Sequence, residues 1–300
     1  MKFGKISENF SLFTTFAPPQ IGSTAFFDSG LGGLTVLRAC LERGLRGDIL
    51  YYGDNARAPY GEKDEEWIKK FTREAFSVFE DFKVGRVVVA CNTVTALCLE
   101  ELKVSYPFPV YGTYPPVDRV KEQDGEIFVF VTSATSKSAT FKNICACARE
   151  KGARLKIFAL DGLVGEIERN LTSPRGMDYV KYLPKGDPCA VVLGCTHYSF
   201  LKEEISYFYR CPVYDSSEET AKKLEESGAV WDCRPRRPFV TTDSPFLFQQ
   251  DISNGCKTEK TLSDFPQKDE KTGESFASIS FMGSGKVVNK PISEQMFGLK

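Results

Sequence analysis

Two cysteines of this chain lie in near-duplicate surroundings. Cys91 ends the run Val-Val-Val-Ala-Cys, and Cys195 ends the run Val-Val-Leu-Gly-Cys. Each aliphatic run is followed by an amphipathic stretch, which predicts a buried strand that turns into a helix. A thiol at such a turn lies beside the unpaired N–H groups and the positive dipole end that open the helix, and both favour a thiolate. The matched surroundings therefore predict a pair of acid/base groups that face each other across one substrate.

Two facing thiols suit one kind of reaction. A thiolate can remove the proton from a carbon next to a carboxylate, and a thiol on the opposite face can return one, which inverts that carbon. The other common use of a cysteine with a histidine is nucleophilic attack, as in a hydrolase or an acyltransferase. Nucleophilic attack needs only one cysteine, so the pair favours proton transfer.

Polar residues follow both thiols directly. Asn92 and Thr93 come after the first cysteine, and Thr196 and His197 come after the second. The threonines also suit simple helix caps. His197 is the only histidine of the chain, and an imidazole that holds a proton two residues from Cys195 would favour the thiolate there. We therefore expect a catalytic role for His197.

A glycine-rich turn follows the first strand-like segment, in the order Asp28-Ser29-Gly-Leu-Gly-Gly. Glycines at a strand-to-helix turn let backbone N–H groups approach an anion. A dinucleotide cofactor would need Gly-x-Gly-x-x-Gly and an acidic residue at the end of the second strand, and this region shows neither. We expect Asp28 and Ser29 to contact a small carboxylate or ammonium group, or Asp28 to act only as a helix cap.

The second strand-like segment leads into a polar, turn-rich loop at 53–61. Taken alone, this stretch is typical of an ordinary surface loop. It leaves the sheet at the same edge as Asp28, because the carboxyl ends of parallel strands meet at one edge. This position makes Tyr60 and Gly61 candidate lid or wall residues.

The composition of the 300 residues is that of an ordinary globular protein, with 26% charged and 42% hydrophobic residues. A net charge of −1 without a lysine/arginine stripe argues against nucleic acid as a partner. No run approaches the roughly 18 apolar residues of a membrane span. Residues 1–20 lack the continuous apolar region of a signal peptide. We expect a cytoplasmic protein with no nucleic-acid or membrane partner.

The chain contains ten cysteines, and several of them, such as Cys40 and Cys98, fall on apparent core faces. Buried free thiols in a reducing compartment explain them better than a disulfide framework does. Because there is no Cys-x-x-Cys pair and only one histidine, we predict no metal site.

Strand-like runs alternate with helical periodicity, which is typical of parallel sheets covered by helices on both faces. The turn-rich stretch 112–116 separates two such series, so we predict two doubly wound α/β domains with the active site in the cleft between them. Strands are predicted at 21–27, 49–52, 86–90, 127–131, 155–159 and 189–193. Helices are predicted at 34–45, 67–82, 94–102 and 137–150, and near Leu163 and Met177.

Four motifs, in their order and their separations, resemble those of the glutamate racemase family. The resemblance covers about Gly22 to Gln250 and extends to weaker matches at 109–112 and 134–138. The four motifs are Phe-Asp28-Ser29-Gly-x-Gly-Gly, Tyr-x-Gly-Asp54 with Pro59-Tyr60-Gly61, Ala-Cys91-Asn92-Thr93-x-Thr95-Ala96, and Gly-Cys195-Thr196-His197.

The resemblance implies cofactor-independent interconversion of L- and D-glutamate, with the D-isomer supplying peptidoglycan synthesis. Cys91 and Cys195 would be the two acid/base residues. Asp28 would assist Cys91, and His197 would assist Cys195. Substrate contacts would come from Asp28, Ser29, Tyr60, Gly61, Asn92, Thr93, Thr196 and His197.

The resemblance also implies a helical glutamate beside His197 and a particular domain organisation. Glu168 aligns best with that glutamate, although Glu166 lies close enough to be confused with it. The fold would have two pseudosymmetric domains, the first completed by a segment that returns after the second through Val213–Asp215 and a strand at Pro238–Thr241. The expected ranges are 20–115 with 213–254, then 116–212, with an extension at 1–19 and a polar, loosely attached tail at 255–300.

The motifs leave the substrate and the assembly open. A racemase of aspartate or of a hydantoin-like substrate would share the two-thiol chemistry. A degenerate member could bind acidic amino acids or a protein partner without turnover. Pro115-Pro116 stands where relatives often carry a glutamate, and the motifs do not indicate whether the chain forms a homodimer.

Overall fold

The computed structural model describes residues 23–45, 49–120, 124–170 and 177–227, together with strands at 239–242 and 279–282. The predicted extension at 1–19 lies outside the described residues, as does most of the tail at 255–300. Near Met177, where a helix is predicted, the described residues show only a 3-10 turn at Val180–Tyr182.

The described residues form ten strands and eight α-helices. The strands are β1 (Thr24–Asp28), β2 (Ile49–Gly53), β3 (Arg86–Val89), β4 (Val110–Gly112), β5 (Glu126–Val131), β6 (Arg154–Ala159), β7 (Ala190–Leu193), β8 (Val213–Asp215), β9 (Phe239–Thr242) and β10 (Ile279–Met282). The helices are α1 (Leu34–Glu42), α2 (Glu65–Asp81), α3 (Asn92–Ser105), α4 (Ser133–Lys137), α5 (Ala139–Glu150), α6 (Asp161–Asn170), α7 (Lys202–Tyr209) and α8 (Ser216–Glu226). Within these ranges, none of the helices has the length and apolar composition that a membrane span requires.

The first sheet is parallel, in the order β10-β9-β2-β1-β3-β4. Side chains of a strand alternate between the two faces of its sheet. Helices α1 and α8 cover the face that carries Phe26, and helices α2 and α3 cover the face that carries Phe27. Every residue of β1 is buried, as expected for a strand of a parallel sheet that is covered by helices on both faces.

The second sheet is also parallel, in the order β6-β5-β7-β8. Helix α5 covers one face, where Val129 and Phe141 are buried. Helices α6 and α7 cover the other face, where Phe130, Leu163 and Ile205 are buried. The two helix-covered parallel sheets confirm the predicted fold class.

The structure corrects the predicted return of the chain to the first domain. β8, at Val213–Asp215, pairs with β7 in the second sheet. The chain returns only with α8, which packs against α1, and with β9, which pairs with β2. β10 joins the same sheet, although it lies inside the stretch predicted as a loosely attached tail. The domain boundaries themselves stay a prediction.

The helix predicted at 137–150 corresponds to α5, which begins at Ala139 because the backbone of Ser138 is extended. Ser138 Oγ accepts the N–H of Phe141 at 3.1 Å and so caps the start of α5. The short helix α4 was not predicted. Nor was β4, whose three residues are too few to show a strand pattern.

Candidate active site

The carboxyl ends of central strands from both sheets face one another. β1 ends in Asp28, Cys91 follows β3 by two residues, and Cys195 follows β7 by two residues. Thr196 Oγ1 donates across this boundary to Asp28 Oδ2 at 3.2 Å, and a backbone N–H of the glycine-rich turn donates to Glu168 Oε1 at 3.2 Å. Cys91 is 5% and Cys195 7% exposed. Residues from distant parts of the chain therefore form one buried polar site.

Cys91 lies at the N-cap position of α3, where its backbone is extended (φ −86°, ψ 119°). Its Sγ lies 3.7 Å from Ser29 Oγ. Burial, and after it the nearby charge of Asp28, raise the pKa of Cys91 to about 12. Cys91 is therefore a protonated thiol at neutral pH.

Asp28 is fully buried, and both of its carboxyl oxygens have partners. Oδ1 accepts the N–H of Gly30 at 2.7 Å, and Oδ2 accepts the hydroxyl of Thr196 at 3.2 Å. Burial raises the pKa of Asp28 above its usual value, although the positive charge of His197 opposes this shift. Asp28 is thus a carboxyl group that can hold or release a proton beside Cys91.

Cys195 has an ion pair as its polar neighbour. Its Sγ lies 3.8 Å from His197 Nδ1, and His197 Nε2 lies 2.5 Å from Glu168 Oε1. Burial opposes protonation of His197, but the charge of Glu168 and the hydrogen bonds to Cys195 and Glu168 raise the pKa of His197 well above its usual value. Burial likewise opposes ionisation of Glu168, yet His197 lowers the pKa of that carboxyl. An imidazolium therefore lies beside the Cys195 thiol, and such a cation stabilises a thiolate.

The glycine-rich turn of the first domain packs directly on this ion pair. A Cβ atom at Gly32 would lie 2.5 Å from both His197 Nδ1 and Thr196 Oγ1, and a Cβ atom at Gly30 would collide with Glu168 Oε1. A side chain at either glycine would displace one of these three side chains, so glycine permits the close contact between the domains. The same glycines were expected to admit an anion, and the close packing is an additional reason for them.

Glu168, and not Glu166, is the glutamate that reaches His197. Glu166 lies on a different side of α6, where it pairs with Arg169 at 3.0 Å and accepts from Tyr182 at 3.3 Å. Residues two apart on a helix do not share a face, so the helix phase separates the two carboxylates.

Tyr60 and Gly61 are positioned by contacts with Asp54 and Thr132, respectively. The Tyr60 hydroxyl donates to Asp54, and Arg57 Nε lies 2.7 Å from Asp54 Oδ2. Burial and the charge of Asp54 raise the pKa of Tyr60, which keeps its hydroxyl protonated. Gly61 packs on Thr132, where an added Cβ would lie 2.6 Å from the threonine Cβ. The loop thus reaches the second domain through Gly61.

Two threonines near Thr93, namely Thr132 and Thr135, had no role predicted from the sequence. Thr93 Oγ1 lies 3.0 Å from Thr132 Oγ1 and 3.4 Å from Thr135 Oγ1, and the latter two atoms are 3.0 Å apart. All three threonines are buried. Thr132 follows β5, so its position after a central strand, like that of Cys91, was the signal that could have found it.

Asn92 lies at the first position of α3, and its side chain is bound to protein groups. Its Nδ2 donates to the Thr113 carbonyl at 2.9 Å and to Ser216 Oγ at 3.0 Å. The catalytic and substrate-binding roles expected from the sequence stay predictions for all of these residues.

Among the residues that the structure describes, side chains of the metal-binding types do not form a cluster. Across the described ranges, no group of three or more His, Cys, Asp or Glu side chains has an arrangement that could hold a metal ion. The predicted reaction without a cofactor stays a prediction.

Two parallel-sheet α/β domains with a buried site between them define an isomerase of the two-domain racemase class. A glutamate racemase of Aquifex aeolicus is 39% identical over 210 residues, which are 67% of this chain and 81% of that protein. A glutamate racemase structure from Campylobacter jejuni superposes with a TM-score of 0.64 at 29% identity, covering 76% of this chain and 96% of the other. One from Francisella tularensis, in complex with D-glutamate, has a TM-score of 0.59 at 26% identity and covers 75% of this chain and 90% of its own. A scan against family models found no match. The chain belongs to the glutamate racemase family.

Proposed function

We propose that this chain interconverts L- and D-glutamate without a cofactor, with Cys91 and Cys195 as its two acid/base groups. The observation that carries the proposal is the opposite environment of the two buried thiols. Cys91 is held as a thiol by burial and by Asp28, while Cys195 lies beside the His197 imidazolium. One acid and one base on opposite sides of a substrate are what inversion of a carbon acid requires.

In one direction of the reaction, Cys91 starts as the acid and Cys195 acts as the base. Cys195 then removes the α-proton from one enantiomer, and Cys91 donates its proton to the opposite face of the resulting carbanion. The reaction leaves Cys195 as a thiol and Cys91 as a thiolate, so the reverse reaction can start at once. Asp28 and His197 then restore the first state by exchanging protons with solvent.

The substrate carboxylates need donors, and the site offers several. The first N–H groups of α3 have no partner within the helix, and the positive end of its dipole favours anions. We assign substrate contacts to Ser29 and Thr196 beside the thiols, to Gly61, and to Asn92 and Thr93 at the start of α3. The D-glutamate bound to the Francisella relative supports glutamate as the substrate.

We further propose that the D-glutamate produced supplies peptidoglycan synthesis. The support is membership of the family, since 39% identity to a glutamate racemase makes a shared role the simplest assignment. Expression of the chain in a bacterium that requires added D-glutamate should remove that requirement. Growth that still depends on added D-glutamate, despite soluble protein, would contradict this role.

Proton NMR in D₂O tests the reaction itself. Purified protein with reduced thiols is mixed with L-glutamate, and separately with D-glutamate, in the absence of any added cofactor. We expect the α-proton signal to disappear while the other enantiomer accumulates. Absence of exchange from both glutamate enantiomers, with exchange from aspartate, would replace glutamate by aspartate as the substrate.

A further inference from the structure

A short chain of hydrogen bonds joins the two cysteine-bearing turns. Asn92 follows Cys91 directly, and its Nδ2 donates to Ser216 Oγ at 3.0 Å. Ser216 Oγ in turn donates at 3.0 Å to the carbonyl of Leu193, which precedes Cys195 by two residues. Asn92 and Ser216 are both buried. The backbone next to one thiol is thereby tied, through one serine, to the backbone next to the other.

Two carbonyls set the directions of these hydrogen bonds. The carbonyls of Thr113 and Leu193 can only accept. The amide nitrogen of Asn92 must therefore face Thr113, at 2.9 Å. The single hydroxyl proton of Ser216 has two acceptors, the Leu193 carbonyl at 3.0 Å and Asn92 Oδ1 at 3.4 Å, and the shorter distance favours Leu193. Ser216 then accepts the second amide proton of Asn92. Both amide protons and the hydroxyl proton are used within the protein.

We propose that Asn92 and Ser216 are positioning residues that set the separation between Cys91 and Cys195. The proposal rests on the two-cysteine reaction proposed above, and it goes beyond that reaction by assigning a role to Ser216. Inversion needs both Sγ atoms on opposite sides of one carbon, and a misplacement of about 1 Å can cost about a hundredfold in rate. The donor that Asn92 still offers the substrate is its backbone N–H.

Ser216 can be tested because it does not cap its own helix. The N-cap of α8 is Asp215, whose Oδ1 accepts the N–H of Ser217 at 2.8 Å. Lys202 Nζ lies 2.7 Å from Asp215 and supports the same turn. Ser216→Ala therefore removes the link between the two turns and leaves the start of α8 in place.

The test compares inversion with exchange in D₂O. For Ser216→Ala we expect kcat to fall about tenfold to a hundredfold, with little change in KM. We also expect more deuterium in the remaining L-glutamate for each D-glutamate formed. One thiol still removes the proton, exchanges it for deuterium from D₂O and returns the deuterium to the same face, because the opposite thiol no longer delivers one in time. The matched control is Thr220→Ala, which alters another buried residue of α8 outside the link and should leave this ratio unchanged.

Two results would overturn the positioning role while the two-cysteine reaction stands. One is an unchanged kcat in Ser216→Ala. The other is a lower kcat with an unchanged exchange-to-inversion ratio, which is the signature of lost folding alone. If the unsubstituted chain fails to racemise glutamate, the proposed function fails. The hydrogen-bonded link through Ser216 is then tested separately, by alkylation with iodoacetamide followed by peptide mass spectrometry. Cys91 and Cys195 should then react faster in Ser216→Ala than in Thr220→Ala, and equal rates would overturn the proposal.

Discussion

Cys91 and Cys195 share a backbone setting but differ in the charges that surround them. Both follow the end of a central parallel strand, and both are buried. The polar neighbours of Cys91 are the Ser29 hydroxyl and the Asp28 carboxyl of its own domain, whereas Cys195 lies beside an imidazolium that is paired with Glu168. The two domains thus repeat a strand-to-helix turn without repeating its electrostatics.

This difference matters because a symmetrical site would not favour either thiol as the base. Two thiolates close together repel each other, and two thiols leave no base to start the reaction. A cation lies beside one thiol and a carboxyl beside the other. The comparison teaches that two matched strand-to-helix turns can place their thiols in different charge environments when the surrounding side chains differ.

Removal of either thiol should have the largest effect. For Cys91→Ala and for Cys195→Ala we expect racemisation to fall about a thousandfold or more, because each variant loses a group that transfers a proton in every turnover. The measurement is D-glutamate formation by chiral chromatography. Cys98→Ala, which alters a buried thiol on the same helix as Cys91, is the control and should retain activity. Full activity in Cys91→Ala would sink the two-base mechanism.

Removal of the charge behind His197 should have the next largest effect. In Glu168→Gln we expect kcat/KM to fall about tenfold to a hundredfold, equally in both directions, because two enantiomers are in equilibrium at a ratio of one. The high pKa of His197 depends on Glu168, so the imidazolium is lost at a lower pH and the alkaline limb of the rate profile moves to lower pH. Glu166→Gln is the matched control, and an equal effect of both substitutions would contradict the assignment of Glu168.

The His197–Glu168 pair should also make stability depend on pH. The folded pKa of Glu168 is lowered, so its contribution is present above the unfolded value of 4.5 and is lost as the pH falls through the folded pKa. The folded pKa of His197 is raised, so its contribution is complete below the unfolded value of 6.5 and is lost as the pH rises through the folded pKa. We expect Glu168→Gln to lower the free energy of unfolding by about 1–3 kcal/mol between those two pH values and by less on either side.

Urea unfolding of both proteins across the pH range measures this dependence. A difference in the free energy of unfolding that stays constant from acid to alkaline pH would mean that the His197–Glu168 pair does not cause the pH dependence.

The smallest effect is expected at the Cys91 turn. Ser29→Ala removes a hydroxyl that contacts Cys91 Sγ at 3.7 Å, and the loss of one such neutral contact is worth about 0.5–1.5 kcal/mol, or roughly twofold to tenfold in rate. Initial rates with both enantiomers measure it. If Ser29→Ala were as damaging as Glu168→Gln, the two turns would depend equally on their neighbours and the contrast between them would be wrong.

Much of the fold and part of the site could be predicted from local patterns. The strand before each cysteine was recognisable because apolar runs and helical periodicity are properties of neighbouring residues. The prediction that β8 belongs to the first domain was wrong, since the sequence of a three-residue strand does not indicate which sheet it joins. β10 was missed as well, because it lies within a stretch whose overall composition is polar.

The sequence by itself determined that two thiols stand at matched strand ends with a histidine beside one of them, because these relations span only a few consecutive residues. Only the tertiary structure decided that Glu168 rather than Glu166 reaches His197, that Thr132 joins Thr93, and that Ser216 connects the two turns. Each of these contacts joins residues far apart in the chain. Their distances depend on how two sheets and their helices pack, and no local pattern encodes that packing.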